Sequence, residues 1–110
     1  MKDCLFCQIV AELVPAKIAG ESETILAFHD IHPKAPVHLL LIPKVHHERP
    51  SDLTSTELVE LVDLADELAE KFKVKESGYR LVFNVGRHAG QEIDHVHLHL
   101  IGGRTAQSMY

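Results

Sequence analysis

The spacing of hydrophobic residues changes along this chain, and each change marks an element. Leu5, Phe6, Ile9, Val10 and Leu13 recur at helical spacing until Pro15, which predicts a short helix over residues 5–14. Residues 23–29 and 37–42 are rich in β-compatible apolar residues on either side of a turn-rich link with two prolines, so two strands are expected. In the second of them only His38 is polar, which suggests a strand covered on both faces. Over residues 54–73, Leu58, Leu61, Val62, Ala65, Leu68, Ala69 and Phe72 follow the i, i+3, i+4, i+7 pattern. Glu57, Glu60, Asp63, Glu67, Glu70 and Lys71 mostly take the other face, expected as solvated surface. Thr54 with Glu57 reads as a capping box, Leu53 with Leu58 as a hydrophobic staple, and Lys71, Lys73 and Lys75 suit the negative end of the helix before Gly78.

Residues 79–85 alternate Tyr79, Leu81, Phe83 and Val85 against Arg80, Val82 and Asn84, and a glycine-bracketed loop follows. Residues 95–101 then alternate histidine with apolar side chains until Gly102-Gly103 ends the run. About five strands and two helices in this order imply an α+β domain. Its antiparallel sheet should carry the helices on one side, and residues 1–110 form a single domain.

Composition narrows what such a domain does. Apolar residues make up 45% of the 110 and charged residues 25%, an ordinary globular balance. A formal charge of -5 argues against a nucleic-acid-binding protein, which needs a clustered basic surface. No apolar stretch approaches the roughly 20 residues that span a bilayer, and Asp3 sits where a signal peptide would run apolar, so no membrane role and a cytoplasmic location are expected. Two cysteines three positions apart cannot frame the fold with disulfides and bring a metal or redox role forward. No acidic cluster suited to a catalytic magnesium ion is visible.

Nine histidines are the unusual number, and three of them share a face. Alternate side chains on a strand stand about 6.6–7 Å apart, so His95, His97 and His99 form a row while Val96, Leu98 and Leu100 bury the other side. Such a row is a surface, a metal site or a catalytic constellation; the spacing alone leaves all three open.

The segment His95-Val96-His97-Leu98-His99-Leu100-Ile101 resembles the His-x-His-x-His-x-x signature of the histidine triad superfamily. Residues 28–38 (Phe28-His29-Asp30-Ile31-His32-Pro33-Lys34-Ala35-Pro36-Val37-His38), 42–46 (Ile42-Pro43-Lys44-Val45-His46), Asn84, Gly90-Gln91 and 100–104 resemble its nucleotide-binding branch, so the likeness covers residues 3–104. That resemblance implies a purine nucleotide phosphoramidase, a homodimer that acts on adenosine or guanosine 5′-monophosphoramidates and binds AMP and GMP. It also leaves open a dinucleoside polyphosphate hydrolase of the fragile-histidine type, or a nucleotide-binding regulatory module with incidental turnover. The implied catalytic set is His97 as nucleophile with His99, His38 and His95. A nucleophilic imidazole works neutral, which histidine's ordinary pKa of about 6.5 permits near pH 7.

The same resemblance assigns nucleotide contacts. Asp30 accepts from the ribose hydroxyls; Asn84 and Gln91 contact the phosphate and ribose side; Phe6, Ile9, Val14, Phe28, His29 and Ile31 wall the base. Cys4, Cys7, His46 and His95 match a structural zinc site of bacterial-type members, with His47 as a rival to His46, and no cofactor is implied for catalysis. Two residues depart from the pattern: Glu92 stands where animal members have a serine that aids the leaving group, and Asp94 where an aromatic residue is common. Relatives also run further past Gly103 and reach the neighbouring subunit's site.

Overall fold

The structure, a computed structural model, describes residues 3–104; the segment where relatives run further lies outside the described residues. Five strands, β1 (Ile18–Glu21), β2 (Ile25–His29), β3 (Val37–Pro43), β4 (Tyr79–Phe83) and β5 (Leu98–Gly102), form one antiparallel sheet in the order β1-β2-β3-β5-β4. Helix α1 (Leu5–Val10) precedes them, and α2 (Ser55–Lys71) joins β3 to β4.

The helices lie on opposite faces of the sheet, not on one side as the sequence suggested. β2 and β3 are apolar on both faces, so each face needs a cover. On one, Leu61, Leu64, Ala65, Leu68 and Ala69 of α2 bury Ile25, Ala27, Leu39, Leu41, Val96, Leu98 and Leu100. On the other, Phe6 and Ile9 of α1 bury Leu26, Phe28, Leu40 and Ile42.

Both helices end through backbone hydrogen bonds and neither uses a glycine. After α1, Glu12 takes φ 62°, its N–H donates to the Ile9 carbonyl at 3.0 Å and that of Leu13 to Gln8 at 2.8 Å, a Schellman turn well short of residue 14. After α2, Lys73 at φ 62° does the same, with Lys73 N–H donating to Glu70 at 3.1 Å and Val74 N–H to Ala69 at 2.8 Å. Val74 is thereby buried against Gly102, where a Cβ would lie 3.0 Å from its side chain.

The α2 capping box is present, since Thr54 Oγ1 accepts from Glu57 N–H at 3.1 Å and the Glu57 carboxylate accepts from Thr54 N–H at 2.8 Å. The surrounding assignments shift. Leu58 stays 41% exposed with Val59 and Val62, so the buried stripe runs through Leu61 and Leu64 and the staple residue Leu58 lies outside the core that holds Leu53. Glu57, expected at the surface, is buried, and Glu60 accepts from Ser22 Oγ at 2.6 Å, Thr24 N–H at 3.0 Å and Thr24 Oγ1 at 2.9 Å. β1 lay unmarked in the sequence: it is four residues long, contains Gly20 and carries a register shift against β2.

Candidate active site

Alternation along the triad segment separates its two faces. Val96, Leu98 and Leu100 sit in the α2-side core, whereas His95 is fully buried and His97 and His99 half-buried on the α1 side. Sheet pairing starts only at Leu98, three residues later than the alternation suggested. β3 reaches its end at Pro43, which has no N–H to give, and β4 stops opposite Leu98, so Val96 N–H donates instead to the His47 carbonyl at 2.7 Å.

A backbone amide sets the protons of two imidazoles. Lys34 N–H donates to His38 Nδ1 at 3.0 Å, and an amide can only donate, so the His38 proton is assigned to Nε2. That proton points to His99 Nδ1 at 2.9 Å, with Asp30 Oδ2 at 3.4 Å. His99 therefore carries its own proton on Nε2, a buried atom with no hydrogen-bond partner among the described residues. Burial, with His97 and His38 nearby, pushes His99 down to about 4; burial also lowers His38 against the pull of Asp30. Both rings are neutral donors at pH 7. By distance alone Asp30, His38 and His99 would suit a cation, but the proton on His38 already occupies the space between the rings.

His97 is oriented differently. Its Nδ1–H donates to the His95 carbonyl at 2.8 Å, which leaves the Nε2 lone pair free, and its ring lies 5.1 Å from that of His99. A free imidazole lone pair beside an uncommitted N–H donor is the arrangement that covalent attack on an oxyanion-bearing centre requires.

A second cluster backs onto this one. Cys4 Sγ lies 3.2 Å from His95 Nδ1, and Cys7 Sγ lies 3.6 Å from the same nitrogen and 3.4 Å from His46 Nδ1. All four ligand atoms fall within 4.8 Å of one another, close enough to hold a metal ion. His95 Nε2–H donates to the Pro43 carbonyl at 2.8 Å, which turns the Nδ1 lone pair toward the thiols. Burial pushes His95 down to about 4, so it is neutral as a ligand must be. His47 turns the other way, its Nε2 3.1 Å from Glu57 Oε2.

The remaining sequence-derived residues divide. Phe6 and Phe28 meet edge to face at 5.6 Å, with Ile9 and Val14 in the same apolar cluster. Asp30 Oδ1 accepts from His32 N–H at 2.8 Å, which leaves Oδ2 toward His38. Ile31 is 84% exposed. The His29 ring lies on the α2 side against Phe72, 5.4 Å away, where burial and then Lys17 and Lys71 lower its pKa. Asn84 is half-buried just past β4, and Glu92 and Asp94 are exposed. Gln91 acts as a brace: Oε1 accepts from Gly86 N–H at 2.7 Å, and Nε2 donates to the carbonyls of Glu48 at 3.1 Å and Ile93 at 3.2 Å. The Lys34 amide and the Pro43 carbonyl, which orient His38 and His95, have no side-chain signal that a sequence could display.

A family model described as the HIT domain matches residues 12–106. The chain belongs to the HIT, or histidine triad, family. This HIT chain is 36% identical over 111 aligned positions to the purine nucleoside phosphoramidase of Escherichia coli (strain K12), covering 98% of this chain and 93% of that protein. A HIT family hydrolase from Legionella pneumophila superposes with a TM-score of 0.89 at 47% identity, covering 94% of this chain and 95% of that one. One from Clostridium thermocellum superposes with a TM-score of 0.92 at 36% identity, covering 100% and 99%.

Proposed function

We propose that this HIT-family hydrolase cleaves the phosphorus–nitrogen bond of adenosine and guanosine 5′-monophosphoramidates through a nucleotidyl intermediate on His97. The observation that carries the reading is the pairing of two nitrogens: the free lone pair on His97 Nε2 and the unpartnered proton on His99 Nε2. His97 attacks the α-phosphorus, its bond to the amine breaks, and the amine leaves with a proton. Water then attacks the same phosphorus, gives up a proton and releases the 5′-monophosphate with His97 restored. His99, held by His38 and the Lys34 amide, donates to the phosphoryl oxygen as charge builds. Asp30 accepts from the ribose, and Phe28, Ile9 and Val14 offer an apolar wall for a purine.

The cluster of Cys4, Cys7, His46 and His95 is suited to zinc. With Zn–S near 2.3 Å and Zn–N near 2.05 Å, a tetrahedral edge between sulfur and nitrogen is about 3.6 Å. The observed separations of 3.2, 3.4 and 3.6 Å need only a small opening. All four positions are protein ligands, so a zinc ion here ties α1, the loop after β3 and the triad segment together and takes no part in bond breaking.

Two further readings concern the setting. The chain is a single domain and a homodimer: Leu58, Val59 and Val62 form an exposed apolar strip on α2, and β4, with Leu81 38% exposed, is an outer strand of the sheet among the described residues. Light scattering should give twice the chain mass, and Val62→Glu should halve it. The location is cytoplasmic; no helix among the described residues is long and apolar enough to cross a membrane.

A substrate panel tests the activity. Adenosine 5′-monophosphoramidate should turn over faster than diadenosine polyphosphates, and acid-labile nucleotidyl adduct should map to residue 97 in quenched reactions. Faster turnover of the dinucleotides would assign the chain to the fragile-histidine activity, and rates near the uncatalysed background would make it a binding module.

A further inference from the structure

Of the two residues between the Cys4 and Cys7 thiols, Phe6 packs on the ring of His97. In Cys4-Leu5-Phe6-Cys7, Leu5 faces outward at 42% exposure and Phe6 inward at 3%. The Phe6 ring meets His97 at 5.2 Å and 79°, His95 at 5.8 Å and 77°, and Phe28 at 5.6 Å and 67°, all edge to face. We propose that Phe6 is a positioning residue for His97, which the first turn of α1, between the two thiols, carries against the imidazole.

Three groups then fix the His97 ring: the His95 carbonyl at Nδ1, the His99 ring on one side and Phe6 on another. Removing the carbonyl contact would free the tautomer; removing Phe6 would leave the His99 ring as the one ring contact on His97 among the described residues and so loosen its rotamer. The support for Phe6 is itself short and rigid. Cys4 Sγ accepts from Cys7 N–H at 3.4 Å at the start of α1, and both thiols reach His95 Nδ1, so this first turn is tied to the residue two positions before the nucleophile. A reactive atom misplaced by about 1 Å costs on the order of 100-fold in rate, so a helical turn that locates one ring against another matters to chemistry.

This inference builds on His97 as the nucleophile, and it competes with a plainer role for Phe6 as a wall of the base pocket. The two roles separate in kinetics. A wall acts on affinity, whereas a positioning residue acts on kcat with affinity kept. Phe6→Leu and Phe6→Met keep an apolar side chain of similar bulk, and whichever melts cooperatively serves the test.

The positioning role expects kcat to fall about 10- to 100-fold while the dissociation constant for adenosine 5′-monophosphate, by calorimetry, stays within about twofold. Nitrogen NMR of the His97 ring should pass from one fixed form with the proton on Nδ1 to a mixture, and Cys7→Ser, which loosens the first turn of α1 without altering Phe6, should do likewise. Unchanged kcat and an unchanged His97 ring spectrum in the Phe6 variants would overturn the proposal, as would a loss confined to nucleotide affinity. Because the ring spectrum is read without substrate, it reports on positioning even if His97→Ala were to leave turnover intact and so reject the nucleophile.

Discussion

The Nδ1–H of His97 is donated to the backbone carbonyl of His95, two residues earlier, at 2.8 Å. One buried residue thus serves two sites, its ring facing the thiols and its carbonyl holding the neighbouring imidazole.

Replacing His97 with alanine removes the attacking nitrogen but neither Asp30 nor the apolar wall. Turnover should drop by at least about three orders of magnitude, or roughly 4 kcal/mol of barrier, with nucleotide affinity little changed. Steady-state kinetics beside calorimetric binding checks this; a variant that keeps a tenth of its kcat contradicts it.

Metal removal should act on stability. Free metal at about a hundredfold over its dissociation constant adds about 2.7 kcal/mol to a folded site, and about 1 kcal/mol moves the melting point of a domain this size by roughly 4 °C. Chelation, or Cys4→Ser, should therefore lower Tm by about 10 °C, and metal analysis of protein purified without added metal should find one zinc per chain. An unchanged melting curve after chelation contradicts the site.

Acid should weaken the fold through His99. Its folded pKa near 4 lies below the ordinary 6.5, so the unfolded chain binds the proton first and stability falls as pH drops through that window. Between pH 7 and pH 5 the loss from this group is about 2 kcal/mol. Urea unfolding at the two values should show a smaller difference in His99→Gln, and an equal difference would remove His99 as the cause.

Glu57 works in the opposite sense. Burial opposes its charge, but the Thr54 amide and hydroxyl and then His47 more than offset that, so its pKa is lowered and its contribution is present above the carboxylate range and lost below it. Glu57→Ala should cost about 2 kcal/mol at pH 7, more than Thr54→Ala at about 1 kcal/mol, because it also strips His47 of its partner. Thermal melts of both variants provide the comparison.

The sequence made the triad face and the α2 cap legible, because each is a side-chain pattern with a fixed period or spacing; the set of Cys4, Cys7, His46 and His95 came from the resemblance, since spacing left His47 as a rival to His46. Strand period put His95, His97 and His99 on one face, and Thr54 with Glu57 carried its own signature. What escaped depends on backbone groups or on distant surfaces. The Lys34 amide and Pro43 carbonyl that set two tautomers are backbone atoms, common to residues of any identity. The Schellman turns at Glu12 and Lys73 use residue types that seldom adopt positive φ, so both helix ends were read too late. The resemblance made Gln91 a phosphate and ribose contact; the sequence did not display that its amide also joins Gly86, Glu48 and Ile93. The side on which each helix packs could not follow from element order, since it depends on how β2 and β3 divide their apolar residues between two faces.

Helix α2 is anchored to both ends of the triad segment. At its start Glu57 meets His47, whose carbonyl receives Val96; at its finish Val74 lies on Gly102. The 17 residues of α2 are a ruler. An inserted or deleted residue within 55–71 would rotate the buried stripe by about 100° and move one anchor off the segment it holds. Length variation among related chains should accordingly collect outside α2, in the surface turns on either side of it, while α2 itself drifts in sequence at constant length.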